Sequence, residues 1–252
     1  MRSRLLLTAA IAAVASISAS AALASHSWNG YHWARTANPF TLKLGNNLTS
    51  AEWQSRLSQT SSDWSKSTVL DTTRVTGLAR SKNCRPTLGR DEICNGSYGN
   101  NGWLGVATIW LQSGTKHIVQ GTVKVNDYYL GPGASYRYNN SAEREHVMCQ
   151  EVGHTLGLDH QSTSGASLNT CMDYYHNTSS ADTKSTRPNQ HDYDELATIY
   201  AHRDSSTTVG LAPASRPVPM GKLGESRYVH RLANGLTRIT FVRWATPIHT
   251  SL

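Results

Sequence analysis

The chain has 252 residues, carries 24 Lys and Arg against 17 Asp and Glu, and contains four Cys. Beyond the N-terminus no stretch is apolar enough to cross a bilayer, no nucleic-acid motif accompanies the positive charge, and no internal repeat is present. The charge is unevenly placed: residues 25–252 carry 22−17 = +5, of which residues 222–252 supply 5−1 = +4, so any weak attraction to anionic surfaces belongs to the C-terminus.

Residues 1–24 have the form of a secretory signal. Arg2 and Arg4 precede an apolar run from Leu5 to Ala15, and Ala22-Leu23-Ala24 supplies small residues for cleavage. A membrane anchor fits less well, because Ser and Thr dilute a run already short for a span. The expectation is a secreted, extracellular, soluble monomer of 228 residues, enough for one domain over residues 25–204 and an extension. In that oxidising setting four Cys favour two disulfides. Three pairings are open. Cys84 with Cys94 across a short turn is the simplest, and leaves Cys149 with Cys171.

Residues 25–37, with His26, Trp28, His32 and Trp33 in a polar context, suggest an N-terminal arm. Phe40 to Leu44 alternates at period two and predicts a strand. Thr49 or Ser50 can then cap a helix through Trp53, Leu57 and Trp64. Val69 to Val75 is a second strand, and residues 81–102 look like loop. Leu104 to Leu111 is an apolar run suited to a buried strand, followed by a half-polar strand from Ile118 to Tyr129. Gly131-Pro132-Gly133 breaks the chain.

The stretch over residues 145–174 carries the chemistry. Gln150-Glu151-Val152-Gly153-His154-Thr155-Leu156-Gly157-Leu158-Asp159-His160 departs at one position from H-E-x-x-H-x-x-G-x-x-H, in which a helix offers two metal ligands four residues apart. Here Gln150 stands first, with His154 on the same helix face and Glu151 beside them. Gly157 can end the helix in the left-handed conformation, letting the chain return with His160. Three donors leave zinc an open position for water, with Glu151 placed as its general base. Should the Gln fail as a donor, Asp159 is the substitute. His146 is excluded, because eight residues of helix put it about 12 Å from His154 along the axis.

The stretch resembles the metzincin clan of zinc peptidases, and its surroundings look like the matrixin branch. Cys171-Met172-Asp173-Tyr174 matches the Met-turn, with Met172 as a hydrophobic floor beneath the metal. Tyr174 is similar to the Tyr that astacins and serralysins carry near the metal, which implies a resting ligand or a partner for the oxyanion. The resemblance spans roughly residues 38–204, with its specific motifs in 145–174. It implies an α/β (α+β) fold with a twisted mixed sheet, an active-site helix and a Met-turn. It further implies that residues 118–129 form the edge strand on which an extended peptide adds. No Cys-containing latency peptide precedes the domain, so no cysteine switch is expected.

Residues 176–188 are polar loop, with His176 expected in solvent. Tyr193, Leu196, Ile199 and Tyr200 then fall on one helix face; His191 and His202 near its ends look like surface or capping residues. Residues 205–223 suit a linker. Beyond it, Arg227 to Leu232 and Leu236 to Trp244 flank Ala233-Asn234-Gly235 and predict a basic β-hairpin over 224–252. Two functions remain: a secreted zinc endopeptidase acting on protein or peptide, or a non-catalytic exported protein on the same scaffold, because the first ligand is Gln150.

Overall fold

A computed structural model describes residues 25–79, 81–211, 227–232 and 235–245. The secretion signal expected over 1–24, residues 212–223 of the linker and Ala233-Asn234 of the hairpin turn lie outside them. The described elements, in order, are strand β1 (His32–Trp33), β2 (Phe40–Asn47), helix α1 (Ala51–Trp64), β3 (Leu70–Thr76), β4 (Asp91–Gly96), β5 (Trp103–Leu111) and β6 (His117–Asn126). They continue with α2 (Asp127–Leu130), α3 (Ser141–Thr155), α4 (Gln190–Ile199), β7 (Arg227–Arg231) and β8 (Thr237–Trp244). No helix among them is long and apolar enough to cross a membrane.

The fold is mixed α/β around one sheet ordered β3-β2-β4-β6-β5-β8-β7, with β1 paired to the start of β6. From β3 to β6 the neighbours run parallel, and from β6 to β7 antiparallel. Helix α1 starts where Ser50 accepts a hydrogen bond from the Trp53 amide, and it buries Trp53, Leu57 and Trp64. A fully buried β5 accounts for its unbroken apolar run. Asn189 and Asp192 form a reciprocal capping box at the start of α4, which packs Leu196 and Ile199 inward.

Four expectations need correction. The arm over 25–37 is part of the core, with Trp28 and Trp33 completely buried. The loop over 81–102 contains β4, a short strand whose Asp91-Glu92 start hides any alternation. The stretch from Ile118 is not an edge strand: β6 lies between β4 and β5, and its polar Gln120 and Thr122 are buried. The C-terminal hairpin does not stand apart, because β8 pairs along the whole length of β5.

Both disulfides form as the simplest pairing predicts, Cys84 to Cys94 and Cys149 to Cys171. The second closes a separation of 22 residues and ties α3 to the turn that carries Met172. Restricting an unfolded loop of that length stabilises the fold by about 3 kcal/mol. Cys149→Ala with Cys171→Ala should therefore lower the unfolding free energy by about that amount in urea titration, with helix content retained.

Candidate active site

Helix α3 begins where Asn140 accepts hydrogen bonds from the amides of Ala142 and Glu143, and it lies against β5, β6 and α1. Its end is set by Gly157, at φ +103°, where a Cβ would meet the Tyr31 carbonyl oxygen at 2.2 Å. No other residue type fits there. The turn over Cys171–Tyr174 sits beneath the helix. Gly153 makes room for it, since a Cβ on Gly153 would come within 2.5 Å of Met172 Sδ.

Past Gly157 the chain returns and brings His160 to His154. Their Nε2 atoms are 3.1 Å apart. His154 Nδ1 faces the Leu158 carbonyl at 2.9 Å and so carries the proton, while His160 Nδ1 lies 3.5 Å from Asp159 Oδ1. Burial holds both His below their ordinary pKa, reinforced at His154 by the His160 ring and opposed at His160 by Asp159. Two neutral rings thus aim lone pairs at one point. Nitrogens bound to one tetrahedral zinc at 2.0–2.1 Å are about 3.3 Å apart, so this pair fits the ion. Asp159 stands behind His160, accepting from its backbone amide at 2.7 Å, and orients the ring from outside.

Gln150 does not fit in the same way. Its amide nitrogen donates to the carbonyls of Cys171 and Asp173 at 2.9 and 2.7 Å. Its Oε1 accepts from Arg243 Nη1 at 2.7 Å. The third position on the helix face is therefore engaged by a residue of β8.

Glu151 is completely buried and neither of its oxygens has a well-formed hydrogen bond. Burial raises its pKa to about 8, against the opposing pull of Arg243 and the Ala107 backbone. Gly105 of β5 makes space for it, because a Cβ there would lie 2.5 Å from Glu151 Oε1. Tyr174 lies at the same place, its ring 4.3 Å from His160, and its hydroxyl donates to the Val242 carbonyl at 3.3 Å.

Sequence reasoning missed what β8 contributes. Phe241 and Arg243, two residues apart on a strand, share the face turned to α3. Phe241 stacks on His154 at 4.2 Å between ring centroids and meets His160 edge-on at 5.4 Å. Arg243 is 1 % exposed and reaches Gln150, the carbonyls of Asp173 and Tyr175, and Glu143. The only available signal was the alternation of Ile239, Phe241 and Arg243, and it says nothing about which sheet the strand joins. Two other His on or near the helix are also buried. His146 is fully buried between Asn177 and the carbonyls of Cys171 and Asp173. His176, expected in solvent, is buried, bonded to Glu143 at 2.7 Å and stacked on Tyr138.

No protein-family model matches the chain, and no curated protein matches it. Among solved structures the chain is similar to high choriolytic enzyme 1, a hatching-enzyme zinc protease from Oryzias latipes (medaka fish). The TM-score is 0.38 and the identity 10 %, covering 69 % of this chain and 96 % of that one. It is also similar to myroilysin, with a TM-score of 0.38 and 11 % identity, covering 70 % and 98 %. Likeness this distant leaves the chemistry to be read from the chain's own atoms.

Glu143 ties the site to acid stability. Burial alone would raise its pKa, but Arg243 and then His176 outweigh that and hold it at about 2. A carboxylate depressed in the fold stabilises above its unfolded pKa, and that contribution disappears as pH falls through the folded one. Glu143→Gln should thus cost about 3 kcal/mol at pH 7 and little near pH 2. Urea titrations at the two pH values check this.

Proposed function

We propose that this chain is a zinc-dependent endopeptidase whose cleft is filled by its own C-terminal strand. The observation that carries the reading is the pair of Nε2 lone pairs of His154 and His160, converging at 3.1 Å beside a buried, unsatisfied Glu151. A carboxyl group without a well-formed hydrogen bond in a dry interior is costly and marks a site where a ligand or reaction supplies the partner.

His154 and His160 would hold the zinc. Gln150 Oε1 becomes a third donor only when Arg243 withdraws. When bound, zinc supplies Lewis acidity that activates water and polarises a carbonyl. The remaining work falls to the chain. The edge of β5, vacated by β8, pairs with an extended peptide through main-chain hydrogen bonds. Glu151 Oε1 or Oε2 takes the proton from the attacking water and passes it to the leaving amine. The Tyr174 hydroxyl, which donates to the Val242 carbonyl in the closed form, donates instead to a carbonyl of the substrate. Met172 and the Cys149–Cys171 disulfide fix the floor under α3.

The second reading, a non-catalytic protein on this scaffold, is favoured by the saturated Gln150 amide, all of whose partners are protein. One comparison separates the two. Phe241→Ala loosens the strand over the His pair without removing a charge, and should increase cleavage of an unstructured protein substrate in saturating zinc. Adding Glu151→Gln should then reduce that cleavage on the order of 10²–10⁴-fold, with zinc content unchanged. Cleavage by the Phe241→Ala protein that does not depend on Glu151, or none at all across a substrate panel, makes the non-catalytic reading the better one.

A further inference from the structure

A second convergence of metal-binding side chains lies away from the cleft, where β1 meets the start of β6. The parallel pairing sets His32 opposite His117. From the other side, the chain leaving α4 brings His202 and Asp204. His202 Nε2 lies 3.1 Å from His32 Nε2. A single carboxylate oxygen, Asp204 Oδ1, lies 3.5 Å from His32 Nε2, 3.5 Å from His202 Nε2 and 3.2 Å from His117 Nε2.

We propose that His32, His202 and Asp204 form a second site for a divalent transition metal, with His117 flanking it through Asp204. Donors on one tetrahedral ion at 2.0–2.1 Å stand about 3.3 Å apart, and the three separations within the triad are 3.1, 3.5 and 3.5 Å. Imidazole nitrogens with one carboxylate select zinc, copper or nickel over magnesium and calcium, which require oxygen shells.

The surroundings orient the donors. His32 Nδ1 donates to the Gly30 carbonyl at 2.7 Å, which leaves Nε2 with its lone pair toward the cluster. Asp204 is gripped at its other oxygen: Arg35 Nη1 binds Oδ2 at 2.8 Å and the Arg35 amide binds it at 3.1 Å. Oδ1 is thereby the oxygen left for the His residues. Arg35 also holds the carbonyls of Tyr200 and His202, fixing the backbone that carries two of the ligands. Its charge lowers the carboxylate's donor strength, which the imidazoles of His32 and His202 offset. His32 is 5 % exposed, whereas the His202 side chain is 52 % exposed, giving an ion an entry path. A metal here would clip a segment near residue 30 to the chain following α4, closing a loop of 170 residues.

The site is independent of the cleft and of the activity proposed for it. Chelator-stripped full-length protein is titrated calorimetrically with Zn2+, and wild type is compared with His202→Ala. That side chain is half exposed, so the fold should survive its loss, and circular dichroism verifies this. Whatever the cleft binds, the variant should take up one equivalent fewer than wild type. In a hundredfold excess of free zinc over Kd, the variant should also lose a Tm increase of about 5–10 °C. Asp204→Asn, which can still bond Arg35, should weaken the same equivalent at least tenfold. Equal stoichiometry and equal zinc-dependent Tm in wild type and His202→Ala would show a plain hydrogen-bonded His–Asp cluster and overturn the proposal.

Discussion

A guanidinium sealed from water must find its partners in protein, because leaving a full charge unmatched in a dry interior costs several kcal/mol. Arg243 meets that demand at the centre of this molecule through its two Nη groups, its Nε being left without a hydrogen bond. Its donors reach Gln150, Glu143 and two backbone carbonyls drawn from α3 and the segment after the Met172 turn. Those partners in turn dictate much else. The Gln150 amide is turned so that its oxygen meets Arg243, Glu143 is kept ionised, and β8 is held in register on β5 with Arg243 opposite Gly105. The lack of a side chain at Gly105 is what lets Glu151 lie against the strand.

Interactions acting within ten or so residues were the legible part of the sequence. The Thr49 or Ser50 cap, the Tyr193, Leu196 and Ile199 face of α4, the Gly157 stop, the alternation of β2 and the Asn-Gly signal before β8 are local signals with local causes, and they predicted elements within a few residues of the observed ends. The convergence of His154 and His160 belongs with them, because one helix and one left-handed turn suffice to build it. Sheet order is a different matter. A half-polar strand such as β6 is compatible with an edge or with a centre whose polar side chains bond internally, and only long-range pairing decides. Short β4, beginning with two carboxylates, gave no periodic signal at all.

The same limit explains the contacts that sequence reasoning did not foresee. His202, read as a surface residue at a helix end, is half exposed as read, yet its ring also meets His32 across 170 positions of chain. His176 is buried because Glu143, 33 residues earlier, and Tyr138 meet it. Phe241 lies over His154 because β5 had an unpaired edge for β8 to join. In each case the side chain's chemistry was visible, and its partner was not.

The pairing of β8 with β5 has a kinetic face. A strand tethered to the sheet it covers is present at an effective concentration on the order of millimolar, set by the connecting chain and independent of how dilute the protein is. A free peptide at micromolar concentration is therefore outnumbered roughly a thousandfold for the same backbone edge. Its apparent affinity is scaled down by the fraction of molecules in which the edge is bare. Dilution separates two chains; it cannot separate a strand from the sheet of its own chain.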